Sequence, residues 1–328
     1  MKICIYGIGA IGGLMAARLV QAGYDVSAVA RGATLESLQK NGLQFYPAGS
    51  ETVQSYPIKA SQSPAELGVQ DIVIIAVKTT GLQDIATNIA PLIGPDTTIL
   101  SAMNGIPWWF FHGLEHESGH LKLDSVDPQE TISKHIPANQ VIGCVTHLSA
   151  TTPASGSVKH IAGNHLIIGE PNGTQTPRLK QLCAILEKAG FEVENTSCIQ
   201  KDIWFKLWGN MTMNPVSAIT GAKSDHILED RYVRDFMSRI MQEAATVGAR
   251  IGLPIEAYPE QRHQVTYKLG SFKTSMLQDA EAGKPLELDA LVTSVAEIAH
   301  QLEVSIPWTE SLLGISRLQA KTRGLYQY

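Results

Sequence analysis

One short motif limits the folds open to this chain. Gly7-Ile8-Gly9-Ala10-Ile11-Gly12 follows the β-rich run Lys2–Tyr6 and opens an Ala-rich segment that ends before Gly23. A G-x-G-x-x-G turn is specific for a dinucleotide pyrophosphate when it joins a strand to a helix, as it does here. Gly7 permits the tight turn, Gly9 lets the backbone approach the pyrophosphate, and Gly12 allows close helix packing. The free N–H groups and positive dipole end of the helix then favour an anion, so residues Gly7, Ile8, Gly9, Ala10, Ile11 and Gly12 are candidate cofactor contacts.

The second strand, Asp25–Ala30, bears on which dinucleotide binds. An NAD-type site uses Asp or Glu about 20 residues past the last glycine to bond the ribose 2′-hydroxyl. This chain has Ala30 and Arg31 there, with no carboxylate. A guanidinium can pair bidentately with a 2′-phosphate, so the pattern predicts NADPH, with a solvated loop cation as the bland alternative for Arg31. Lys78 follows the apolar run DIVIIAV and Asn104 follows TILSAM. Ligands in open α/β sheets bind beyond the carboxyl ends of strands, so Lys78 could contact phosphate and Asn104 could contact the nicotinamide ribose or a substrate. Each could equally be a turn residue.

Strand and helix signals alternate up to about Glu194, as in a doubly wound parallel sheet. The expected strands are Lys2–Tyr6, Asp25–Ala30, Leu43–Tyr46, Thr52–Ile58, Asp71–Val77, Thr97–Ala102, Val141–His147, Ser157–Gly169 and Glu192–Glu194. Helices are expected over Ala10–Ala22, Leu82–Leu92 and Pro177–Ala189. Past Lys201 only amphipathic helices remain, over Ile203–Thr220, Val233–Ile251, Lys273–Ala282, Leu286–Leu302 and Glu310–Lys321. The expected fold class is therefore α/β: an NADP-binding Rossmann-type domain over residues 1–197 and an all-helical domain over 198–328. Residues 108–140 read as an irregular insertion. Its aromatic cluster Trp108–Phe111 could form an interface, cover the cleft or join the core.

The chain has 328 residues, 26 Lys plus Arg against 31 Asp plus Glu, and a formal charge of −5. That balance argues against a dedicated nucleic-acid partner. No apolar run is long enough to span a bilayer, so no membrane partner is expected. The four cysteines form no CxxC pair, which fits a reducing, cytoplasmic compartment. His112, His116 and His120 have helical spacing, but Gly113 and Gly119 among them argue against a shared metal-binding face; no metal is expected.

The helix KDIWFKLWGNMTMNPVSAIT carries Lys206, Asn210 and Asn214 at i, i+4 and i+8. One face holds all three, either as a polar site or as a solvent-facing stripe whose Asn214 ends a turn before Pro215. The chain resembles the ketopantoate reductase (2-dehydropantoate 2-reductase) family over nearly its whole length. The resemblance rests on KICIYGIGAIGG, Arg31, AVKT around Lys78, MNG around Asn104, KLWGNMTMNPVSAIT, SMLQD from Ser275 and LELD around Glu287. It implies an NADPH-dependent reductase of ketopantoate, acting toward pantothenate and coenzyme A, with Lys206 as general acid. It further implies that Asn104, Asn210 and Asn214 hold the substrate, that Ser275 meets its carboxylate side, and that Glu287, catalytic with Lys206, fixes that lysine or meets the substrate's hydroxyl end. Asn104 and Glu287 also count among the implied cofactor contacts. Partners are a small 2-oxo acid and, as an open option, a second copy in a homodimer. Leu286 stands where many members have Thr, and this departure, with the 108–140 segment, leaves another small 2-oxo acid as the alternative substrate. A non-catalytic NADP(H) sensor is the alternative of a different class.

Overall fold

The computed structural model describes residues 1–114 and 121–326. It divides into two units, Met1–Met103 with Glu130–Ile199, and Asn104–Gln129 with Gln200–Tyr328. The sequence reading divides the chain once, at residue 197; the observed units are interleaved. The reason is packing. Trp109, Phe110 and Phe111 are buried, and the Phe110 ring lies 6.2 Å from Trp204 in the helical unit. Three of the four clustered aromatics are therefore core residues. The Glu297 carboxylate accepts from the backbone N–H of Asp124 (2.7 Å) and Ser125 (3.2 Å), fixing the later part of the segment to the same unit. His116 and His120 lie outside the described residues.

The first unit is built on one mixed sheet of ten strands among the described residues. These are β1 (Lys2–Tyr6), β2 (Asp25–Val29), β3 (Leu43–Tyr46), β4 (Gln54–Tyr56), β5 (Lys59–Ser61), β6 (Ile72–Ile75), β7 (Thr98–Ser101), β8 (Val141–Thr151), β9 (Ser157–Gly169) and β10 (Glu192–Asn195). The run β5-β2-β1-β6-β7-β8 is parallel throughout. All four residues of β6 are buried, as expected of an apolar strand covered on both faces. The sheet departs from the fully parallel expectation where β3 meets β4 and where β8 meets β9, both antiparallel pairs. The short link between β8 and β9 suits a hairpin and is too short for a parallel crossover. β9 then receives β3 along its first residues and β10 along its last, both in parallel.

Helices α1 (Ala10–Gln21), α2 (Gly32–Asn41), α3 (Leu82–Ala86), α4 (Thr131–His135) and α5 (Pro177–Lys188) complete this unit. The helix expected over Leu82–Leu92 is cut short. Thr87 Oγ1 (2.9 Å) and Asn88 Nδ2 (2.7 Å) both donate to the Asp84 carbonyl, competing with the backbone for it. The chain then forms a 3₁₀ turn at Ala90–Leu92, where Pro91 lacks an N–H. α2 escapes the sequence reading because Leu38 alone of its residues is buried, too little for an apolar stripe.

The helical unit contains α6 (Ile199–Thr220), α7 (Ser224–Glu229), α8 (Arg231–Arg250), α9 (Pro259–Lys268), α10 (Ser275–Glu281), α11 (Ser294–Gln301) and α12 (Pro307–Thr322). Trp204, Leu207, Trp208 and Met211 of α6 are buried. Trp208 Nε1 donates to the Met241 carbonyl of α8 at 2.7 Å. A Cβ on Gly248 of α8 would stand 2.3 Å from Trp204 Nε1, so this glycine permits the close helix approach. α6 runs unbroken through Pro215, so Asn214 does not end a turn. The helix expected over Leu286–Leu302 begins instead as a π-helical turn, Asp289–Thr293, that leads into α11.

At the end of the sheet the Glu170 side chain is buried and accepts from Arg178 Nε at 2.7 Å. Removing one partner strands a buried charge. Arg178→Met is expected to destabilise the protein by about 3 kcal/mol, and adding Glu170→Gln should recover part of the loss. Scanning calorimetry of the single and double variants reads both effects; an unchanged midpoint in Arg178→Met would contradict them.

Candidate active site

In the first unit the chain passes from β1 to β2 on one side and later places β6 on the other side of β1. That reversal makes the carboxyl ends of β1 and β6 a topological switch point. Gly7 leaves β1 with φ +102, and a Cβ there would stand 2.4 Å from Val77 Cγ1. A Cβ on Gly12 would stand only 2.0 Å from the Gly7 carbonyl oxygen. These two glycines are therefore required by packing. Gly9 differs: a Cβ there would meet nothing within 4 Å. It occupies the N-cap position of α1, with no side-chain cap and no acidic residue in the first turn. The helix start thus offers free N–H groups beside open space, which fits a pyrophosphate.

Arg31 is exposed at the N-cap position of α2, in extended backbone. Its charge reaches Tyr6 at the end of β1: burial and Cys4 push the Tyr6 phenol up, and Arg31 opposes the shift. The guanidinium is thus close to the strand that leads into the glycine loop. Lys78 comes just after β6, with its amine buried. The residues of this unit fit an NADP(H)-type dinucleotide in charge and in room.

The helical unit holds the other candidates. Lys206 and Asn210 are half-buried and Asn214 is 8% exposed, so the stripe on α6 does not face solvent. Lys206 Nζ donates to Asn104 Oδ1 at 2.8 Å across 102 positions of sequence. Asn104 is the first residue of its segment in this unit. The next residue, Gly105, has φ +81, and a Cβ there would stand 2.5 Å from the Ala290 carbonyl oxygen. Ile106 N–H donates to that same oxygen at 2.8 Å. Ala290 belongs to the π-helical turn, whose wider ring leaves a carbonyl available to an outside donor.

The π turn also comes directly after the segment that carries Glu287. The backbone N–H of Leu286 donates to the Leu325 carbonyl at 2.9 Å. Asp289 Oδ1 accepts from Tyr326 Oη (2.6 Å) and Thr293 Oγ1 (2.9 Å). Leu286 and Leu288 are buried around a half-buried Glu287, which braces it on both sides. Ser275 opens α10 and is exposed; the buried Thr274 before it caps that helix through Leu277 N–H at 3.1 Å. The structure therefore joins Lys206 to Asn104 directly and keeps Asn210 and Asn214 on their face. Sequence reasoning missed Gly105, Ala290, Asp289 and Tyr326 as supports. The Asn-Gly pair was the available signal for the first, and none existed for the π turn.

A family model described as ketopantoate reductase PanE/ApbA matches residues 3–173, and its C-terminal companion matches residues 198–320. A 2-dehydropantoate 2-reductase of Mesorhizobium japonicum is 38% identical, covering 99% of this chain and all of the relative. A crystal structure described as a candidate ketopantoate reductase of Ralstonia solanacearum MolK2 is 50% identical over 99% of both chains, with a TM-score of 0.94. A D-mandelate dehydrogenase, solved with NADH and anilino(oxo)acetate, shares the fold at a TM-score of 0.85 and 19% identity, covering 99% of this chain and all of its own.

Gly105→Ala is expected to destabilise the protein by roughly 2–3 kcal/mol, because it adds left-handed backbone strain to a clash with Ala290. The thermal midpoint measures this, and a midpoint within a degree of the parent would show that the Asn104 turn does not depend on glycine.

Proposed function

The chain belongs to the ketopantoate reductase family, and on that premise we propose that it reduces ketopantoate to pantoate with NADPH, a step toward pantothenate and coenzyme A in the cytoplasm. The observation that carries this reading is the half-buried Lys206 ammonium tethered to Asn104 at 2.8 Å. The names of the relatives supply the substrate, and Arg31, without a carboxylate beside it, supplies the preference for the 2′-phosphate.

Bound NADPH supplies the hydride that reduces the ketone carbon. The rest is work for the chain's own side chains. Lys206 Nζ has three N–H donors, and Asn104 Oδ1 takes one. The ammonium can meet the ketone oxygen, stabilise the negative charge that builds there, and then deliver a proton to it. Asn104 is neutral, so it fixes the ammonium without cancelling its charge. Asn210 and Asn214 orient the substrate through amides, and Ser275 meets its carboxylate side. Glu287 belongs at the far, hydroxyl-bearing end, because beside the substrate carboxylate it would repel it. In the other unit the α1 N-terminus, residues 7–12, Lys78 and Arg31 would hold the phosphates.

Parts of the two departures that favour another 2-oxo acid are packing residues. Leu286 is buried in the core and Trp109–Phe111 pack inside the helical unit, so these changes fall on packing positions.

The direct test is NADPH oxidation with ketopantoate, pyruvate and 2-oxoisovalerate, each repeated with NADH. Efficient turnover is expected for ketopantoate with NADPH; none on ketopantoate would overturn the reading. Lys206→Ala should lower kcat by about 10²–10⁴-fold while leaving NADPH affinity nearly intact. Equal loss of NADPH affinity would instead assign the lysine to phosphate. Arg31→Asp should weaken NADPH at least about tenfold more than NADH, measured by fluorescence titration; equal effects on the two would remove Arg31 from the 2′-phosphate.

A further inference from the structure

A second cation sits against α6 and is not used by the mechanism above. Arg262 of α9 lays its guanidinium on Gly209: a Cβ there would stand 2.7 Å from Nε, 3.0 Å from Nη2 and 3.2 Å from Cζ. Glycine within a long helix costs about 1 kcal/mol relative to alanine, and here it makes the seat for a planar cation. The Phe205 ring flanks the guanidinium, with Cζ 6.0 Å from its centroid. Arg262 Nε is buried and meets no acceptor among the described residues. Burial pushes the guanidinium below its usual pKa, though an arginine remains charged at neutral pH. A largely buried cation with an unspent donor is unfavourable unless an anion arrives.

The position of this cation suggests the anion. Gly209 is one turn along α6 from Lys206 and about 60° round its axis, while Asn210 lies about 40° to the other side. Lys206 therefore stands between the Arg262 seat and the asparagine stripe. In a 2-oxo acid the carboxylate carbon is bonded directly to the ketone carbon. A ketone oxygen at Lys206 Nζ puts the adjacent carboxylate within a few ångströms; Ser275 is assigned one neutral contact to it, and a guanidinium fork matches it in shape and charge.

We propose that Arg262, seated on Gly209, binds the carboxylate of the 2-oxo acid substrate and makes the site selective for free acids over their neutral derivatives. This rests on the reductase reading above, and Arg262 is a binding residue, separate from the proton-donating Lys206. It contributes ground-state affinity and orientation.

The test compares ketopantoate with its neutral lactone in steady-state kinetics of Arg262→Gln, Arg262→Lys and Gly209→Ala, all with saturating NADPH. In Arg262→Gln, kcat/KM for ketopantoate is expected to fall on the order of 100-fold, mainly through KM, the loss of a charge-assisted bond. The lactone rate should change little. Arg262→Lys should recover part of the loss. Gly209→Ala, whose Cβ would displace the guanidinium, should reproduce the KM defect. Equal losses on acid and lactone would make Arg262 a packing residue and overturn the proposal, as would unchanged kinetics. Should the parent protein fail on ketopantoate, the reductase reading fails separately. Calorimetric binding of oxamate to the NADPH-loaded protein then reads the seat alone: loss in Arg262→Gln supports it, and retention overturns it.

Discussion

On the proposed assignment, the bond between Lys206 Nζ and Asn104 Oδ1 is the contact on which the chemistry of the helical unit depends. A lysine on a flexible four-carbon stem carries roughly 2 kcal/mol of rotamer entropy and is a poor catalyst until something holds its head. A carboxylate would hold it firmly but would also neutralise the charge it must offer. An amide oxygen holds the ammonium and leaves the charge in place. The asparagine therefore helps to place the lysine. Asn104 is placed by its two successors in the chain: Gly105 at φ +81, pressed on Ala290, and Ile106, whose N–H bonds that residue's carbonyl.

That carbonyl is available because the backbone is π-helical there. An α-helical Ala290 would give its oxygen to the N–H four residues on. In the π turn it is shared by Ile106 N–H at 2.8 Å and Ser294 Oγ at 3.1 Å. A π turn is less favourable than an α turn and survives where outside bonds compensate for it. Those bonds are on hand: the Asn104 turn supplies one, and Tyr326 and Thr293 secure Asp289 at the start of the turn. One irregular turn therefore anchors the lysine's partner and sets the direction in which the chain leaves Glu287. The two residues proposed to contact opposite ends of the substrate are referenced to the same few backbone atoms.

Much of this was legible in the sequence where local chemistry dictates structure. The glycine loop, the buried strand Ile72–Ile75 and the stripe on α6 each write their geometry into residue spacing. The strand pairing of β8 with β9 was less legible, since residue type does not state direction; the short link between them does. Helices α2 and α9 bury Leu38 and His263 respectively and almost nothing else, so no apolar period marks them. Arg262 was invisible for that reason. The membership of residues 104–129 in the helical unit was hidden too, because it depends on where Phe110 finds Trp204. The π turn left no periodic signal at all: its cause lies in partners 37 and 184 positions away along the chain.

Fold alone does not select a substrate here, since a protein described as a D-mandelate dehydrogenase shares it at low identity. Selection must come from the order of charges along the site. On the proposed assignment the cationic side begins at Lys206 and the anionic side at Glu287, with neutral amides between. A 2-oxo acid can enter in one orientation only, with its carboxylate away from Glu287 and its ketone at the ammonium. A distal hydroxyl then falls at the carboxylate end and donates to it. A simple 2-oxo acid with no hydroxyl gains the first two contacts and forfeits a charge-assisted third. A site built to bond a hydroxyl rejects the analogue that lacks one far more strongly than an apolar pocket rejects a missing methylene. On that assignment the order of charges along the site favours a hydroxylated 2-oxo acid over its simpler relatives.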